Sequence, residues 1–212
     1  MDFQSSKQIS SNELLNLEYD MFILGSGYEM RSIYLLQKYQ IRAKKKIALA
    51  FAEKSKEPRR KENDKILKEN GFQIINISGE EAIDFNLIFD AFLLNKVREH
   101  AYILIDYSSM TKVWYSGLIN FIIGDVNLSN LLTVHFSYTP AIYNEPKKNI
   151  PVRYNNQISY PSRKSFESIK PLALIIGLGL DKNRAEFICK KLKPALTILF
   201  YSDPANDIKY VE

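Results

Sequence analysis

Residues 101–112 read Ala101-Tyr102-Ile103-Leu104-Ile105-Asp106-Tyr107-Ser108-Ser109-Met110-Thr111-Lys112. The short apolar run Tyr102 to Ile105 predicts a buried strand. It stops at an acid, passes three hydroxyl residues and a lysine, and enters the apolar-periodic segment Val113 to Ile123, which predicts a helix. The polar residues therefore sit between a strand's carboxyl end and a helix's amino end. In open α/β sheets ligands bind at such places, and free N–H groups with the helix dipole favour phosphate there.

Working outward, the same alternation repeats. Residues 1–12 are polar and read as a frayed start. Tyr19 to Leu24 predicts a strand ended by Gly25-Ser26-Gly27, and Tyr28 to Tyr39 a helix. Lys46 to Ala52 predicts the second strand. Arg60 to Asn70 predicts an amphipathic helix closed by Gly71, which suits a left-handed position. Phe72 to Ile77 is the third strand and Phe85 to Val97 the third helix. The opening stretch supplies strand and helix four, and Leu131 to Tyr138 strand five. This order predicts an α/β fold, a Rossmann-like, doubly wound, mostly parallel sheet.

After residue 139 the texture changes. Five of the eight prolines lie from Pro140 to Pro171, so 140–171 reads as a connector between a domain at 1–139 and a second βαβ unit at 172–212. In that unit Leu172 to Ile176 predicts a strand, Lys182 to Leu192 a helix and Ala195 to Tyr201 a strand. Its turn, Gly177-Leu178-Gly179, can be laid beside Gly25-Ser26-Gly27. Two generic turns or a degenerate internal repeat both account for the likeness.

Composition narrows the class. Of 212 residues, 46% are hydrophobic and 25% charged, ordinary values for a soluble globular protein. The net charge of +5 is concentrated in Arg42 to Lys46 and Lys54 to Lys61. These read as solvated surface runs, with attraction of an anionic partner as the alternative. No nucleic-acid-binding motif accompanies the charge. The one cysteine, Cys189, reads as a core residue. It permits no disulfide within one chain, which suits a cytoplasmic location. No run is long enough to span a bilayer. His100 and His135 are far apart and no Cys/His/Asp cluster has metal-ligand spacing, so neither a metal nor a cofactor is expected.

Two groups of residues could bind a ligand. Gly25, Ser26 and Gly27 permit close backbone approach, with Arg31 in reach of a phosphate or paired to Glu29. Met30 occupies the sixth position of the dinucleotide fingerprint, which disfavours a conventional NAD site. In the second group Ser108, Ser109 and Thr111 offer hydroxyls and Lys112 a point charge. Asp106 could accept from a ribose hydroxyl or hold its own loop. An ordinary N-capped helix is the plainer alternative. Trp114 and Tyr115 read as core, with base stacking as the alternative.

The spacing Asp106-x-Ser108-x-x-x-Lys112 resembles the [DN]-x-[ST]-x-x-x-[RK] signature of CARF domains, Rossmann-like sensors of cyclic oligoadenylates in type III CRISPR defence. The resemblance covers about residues 19–138. Many members carry two glycines where this chain has Ser109 and Met110. It implies a ligand facing Gly25, Ser26, Gly27, Asp106, Ser108, Ser109, Thr111 and Lys112, a homodimer, and an effector domain or partner. The related SAVED sensors contain two CARF-like halves. A fainter resemblance is to the phosphoribosyltransferase loop, from which Tyr107 departs at the second acid's place. The expectation is a cytosolic sensor of an anionic nucleotide or nucleotide second messenger. The alternatives are an enzyme on a nucleotide or phosphoribosyl substrate, such as a ring nuclease or transferase, and an interaction subunit without ligand.

Overall fold

The computed structural model describes residues 7–79, 83–86, 88–89, 100–124, 130–141, 171–178 and 182–201, with side chains of 182–184 excepted. Contacts divide the chain into two compact units, Met1–Pro140 and Ala141–Glu212.

The first unit is an α/β, Rossmann-like domain. Five strands, β1 (Glu18–Ser26), β2 (Arg42–Phe51), β3 (Gln73–Ile77), β4 (Ala101–Asp106) and β5 (Leu132–Ser137), form one sheet in the order β3-β2-β1-β4-β5. Every pairing is parallel. In register, Met21 lies beside Ile103 and Leu24 beside Asp106. The side-chain alternation of a strand splits its apolar residues between two faces. Met21, Ile23, Ile47, Leu49, Ile103 and Ile105 pack with Trp114, Leu118 and Phe89 on one. Phe22, Leu24, Ala48 and Leu104 pack with Ile33, Leu35 and Leu67 on the other. A sheet buried on both faces has continuous rather than alternating apolar strands, which is why Tyr102 to Ile105 was legible as one.

The helices are α1 (Ser11–Asn16), α2 (Tyr34–Lys38), α3 (Pro58–Glu69) and α4 (Lys112–Gly124). Helix α1 corrects the expectation of a frayed start. Ser10 Oγ accepts the Glu13 N–H at 3.2 Å and Glu13 accepts the Ser10 N–H at 2.7 Å, a capping box that fixes the first turn. Helix α3 ends as its sequence implies. Gly71 has φ +81°, the Phe72 N–H reaches Leu67 O and the Gly71 N–H reaches Lys68 O, each at 3.0 Å. That pair of bonds is a Schellman motif, closed by the Phe72–Leu67 contact. Of the expected helix Phe85 to Val97, residues 86, 88 and 89 are helical and most of the rest lies outside the described residues.

The basic run Arg42 to Lys46 is the start of β2, and its amines are engaged. Lys44 pairs with Asp20 at 3.0 Å, Lys45 donates to Ile88 O at 3.0 Å and Lys46 to Asn70 O at 3.1 Å.

The second unit contains β6 (Ala173–Gly177), α5 (Lys182–Leu192) and β7 (Leu196–Phe200), with β6 and β7 paired in parallel. This is a βαβ unit with a second, small sheet. Cys189 is half-buried. Most of the stretch read as a connector, and Gly179 of the second turn, lie outside the described residues. No helix among the described residues is long and apolar enough to cross a membrane.

Candidate functional site

Strands β1 and β4 are neighbours, but the chain leaves them in opposite lateral directions, to β2 and to β5. Such a switch point opens a crevice at the carboxyl edge of the sheet. The two turns singled out in the sequence leave the sheet here, one after β1 and one after β4.

They touch. A Cβ placed on Gly25 would lie 2.8 Å from the carbonyl carbon and oxygen of Ser109 and 2.9 Å from Met110 N. On Gly27 it would lie 3.4 Å from Ser109 Cβ and 3.5 Å from its Oγ. The glycines of the first turn thus make room for the second turn. What approaches Gly25 most closely is the Ser109 peptide. The side chain of Ser109, where the resembling family has glycine, is received by a glycine on the facing turn.

Asp106 ends β4 and is 1% exposed. Its Oδ1 accepts the Ser108 N–H at 3.0 Å and the Ser108 hydroxyl. Ser108 Oγ accepts the Thr139 N–H at 2.7 Å, and the Tyr107 N–H reaches Ser137 O at 3.1 Å. These bonds pin the turn to the end of β5. Oδ2 of Asp106 and Oγ of Ser109 are buried with no hydrogen-bond partner among the described residues. Leaving such an atom unpaired costs about 1–3 kcal/mol. Burial pushes the Asp106 carboxyl up to about 6, against the Ser108 bonds and the charge of Arg31, which pull it down.

The other hydroxyls have internal work. Thr111 Oγ1 accepts the Trp114 N–H at 3.2 Å, so Thr111 caps α4. Ser26 is buried and donates to Asp64 Oδ1 at 2.8 Å. Lys112, the first residue of α4, is exposed, and no hydrogen bond or ion pair engages it among the described residues. Arg31 pairs with Glu29, and its NH1 lies 3.4 Å from Tyr138 Oη. Trp114 is fully buried, donates to Ser78 O at 3.1 Å and packs on Phe51 at 4.5 Å, so it belongs to the core. Tyr115 meets Tyr107 edge-on at 5.7 Å.

The single helix expected over Tyr28 to Tyr39 is replaced by a 3-10 turn, Met30–Ile33, and the five-residue α2. The break is at Ile33, at φ −119°, ψ 3°. Asn63 of α3 causes the tight start: its Nδ2 lies 2.9 Å from Gly27 O, 3.1 Å from Glu29 O and 2.9 Å from Ser32 Oγ. The first turn therefore has no regular helix terminus to offer an anion; the 13-residue α4 has one.

Sequence reasoning missed the brace beneath the first turn. Arg60 is fully buried; it donates to Asp64 Oδ1 at 2.8 Å, Phe51 O at 2.6 Å and Asn76 Oδ1 at 3.0 Å. The available signal was three polar residues, Arg60, Asn63 and Asp64, on the helix face that also carries Leu67. It also missed Tyr138, which depends on the β4–β5 register. Among the described residues no group of three or more His, Cys, Asp or Glu could hold a metal ion. No protein-family model matches the chain, and neither the curated proteins nor the solved structures give a match.

Proposed function

We propose that the first unit is a CARF-like nucleotide sensor that binds an anionic nucleotide or nucleotide second messenger between the Gly25 and Asp106 turns. The observation that carries this reading is the backbone contact of Gly25 with Ser109 at the switch point. The orphaned oxygens of Asp106 and Ser109 support it, because they leave hydrogen-bonding capacity at that edge. Lys112, exposed at the start of α4, is the residue assigned to phosphate. Gly25, Ser26, Ser108 and Thr111 shape the site from beneath, and Arg31 contributes through its field. Binding shifts the arrangement of a cytoplasmic homodimer or an attached effector in antiviral defence.

A second reading has one observation in its favour. A buried carboxyl held near 6 is suited to proton transfer at neutral pH, which would make Asp106 an acid–base group in nucleotide cleavage.

Thermal-shift measurements with cyclic tetra-adenylate, cyclic dinucleotides and phosphoribosyl diphosphate test both. At a hundredfold excess over Kd, one class should raise Tm by about 5 °C or more. Lys112→Ala should abolish most of that rise. Chromatography of the incubated nucleotide then separates sensor from enzyme by whether it is recovered intact. No shift with any probe ends both readings.

A further inference from the structure

Tyr138 follows β5 and is held in place from several directions. The Tyr107–Ser137 and Ser108–Thr139 bonds clip its backbone to the Asp106 turn. Its ring stacks on Tyr107, with centroids 5.1 Å apart and planes inclined by 23°. Its hydroxyl meets Arg31, which is itself fixed by Glu29. Yet Tyr138 is 51% exposed, and so is 49% of Phe136 two residues earlier. A rigid ring that keeps this much open surface is ready to accept a planar guest, since little ordering cost remains.

We propose that Tyr138 is the stacking platform for the base of the bound nucleotide. The proposal rests on the nucleotide reading of the site and narrows it: the guest carries a planar heterocycle, and a phosphorylated ribose without a base is excluded. Arg31 beside the ring and exposed Lys112 supply the positive field for the phosphate. The unpartnered oxygens of Asp106 and Ser109, on the turn that Tyr138 is bonded to, are left for the base edge or a sugar hydroxyl. The alternative occupant is a protein surface. It is disfavoured because the exposed rings are bordered by the Arg31–Glu29 pair and a polar turn rather than by further apolar surface.

Isothermal titration of the full chain with cyclic tetra-adenylate, AMP and phosphoribosyl diphosphate tests this. An adenine-bearing probe should bind at least tenfold tighter than phosphoribosyl diphosphate. Tyr138→Ala should weaken it about tenfold or more, the ordinary worth of a base stack. Tyr138→Phe keeps the ring and should stay within about fivefold. Saturation-transfer NMR gives a readout that misfolding does not imitate: adenine H2 and H8 should receive more saturation than ribose H1′ in the wild type, and lose that excess in Tyr138→Ala. Unchanged binding by Tyr138→Ala overturns the proposal while sparing the nucleotide reading, as does equal affinity for phosphoribosyl diphosphate. Unchanged binding with loss of a dimer assigns the rings to a protein interface. No binding by any probe overturns both.

Discussion

Two aspartates lie buried in the same pair of neighbouring strands, near opposite ends, and are treated differently. Asp20, near the start of β1, accepts Lys44 at 3.0 Å on one oxygen and the Tyr102 N–H at 3.0 Å on the other. Asp106, at the end of β4, has both of its bonds on one oxygen and none on the other. Asp20 carries a counter-charge; Asp106 is buried far enough to be pushed up to about 6. The first arrangement joins two strands and leaves nothing over. The second leaves an acid unsatisfied at the sheet edge where ligands bind in open α/β folds. One is cement, and the other is the mark of a site.

Substitutions can break or sharpen this contrast. The largest effect is expected from Gly25→Ala. Its methyl would lie 2.8 Å from backbone atoms of Ser109, so the two turns must separate; overpacking of this kind costs about 3 kcal/mol, read by urea unfolding. Retention of full stability would mean the turns are only loosely apposed.

Asp20→Ala should come next, costing about 2 kcal/mol in the same assay, because the Tyr102 N–H is left without its acceptor.

Asp106→Asn should have the opposite sign. A carboxyl whose folded pKa exceeds the ordinary value of 3.8 holds its proton more tightly when folded. The fold therefore gains stability as pH falls from about 6 toward 4, and loses it as pH rises through that window. The amide removes the buried charge, so the variant should be about 1–2 kcal/mol more stable than wild type at pH 8, with the gain fading by pH 4.5. Thermal melts at the two pH values read this directly. A destabilised variant at pH 8 would place Asp106 with Asp20 as a purely structural residue.

The smallest effect is expected from Thr111→Ala. Loss of the α4 cap should cost about 1 kcal/mol, and ligand affinity should be little changed, unlike in Lys112→Ala.

What the sequence disclosed depends on how local each cause is. The buried strand at Tyr102 to Ile105, the Gly71 terminus and the parallel order follow from neighbours in the chain, and they were legible. The cap formed by Thr111 was legible for the same reason. The 3-10 start after Gly27 was not, because it is imposed by Asn63, an amide 36 residues away in sequence. Nor was the role of Gly25 and Gly27, whose space is filled by Ser109 of another turn. Arg60 reads as one more surface charge until its three acceptors are brought around it by β2, β3 and its own helix. Tyr138 gains its neighbour Tyr107 only through the pairing of Asp106 with Ser137.

The most direct test of a single site built by two turns is a backbone-amide NMR titration with cyclic tetra-adenylate. The amides of Gly25, Ser26, Gly27, Ser109 and Met110 should shift together along one saturation curve, while that of Tyr102, bonded to Asp20, stays still. Shifts confined to one turn, or centred on the Asp20 end, would contradict the account.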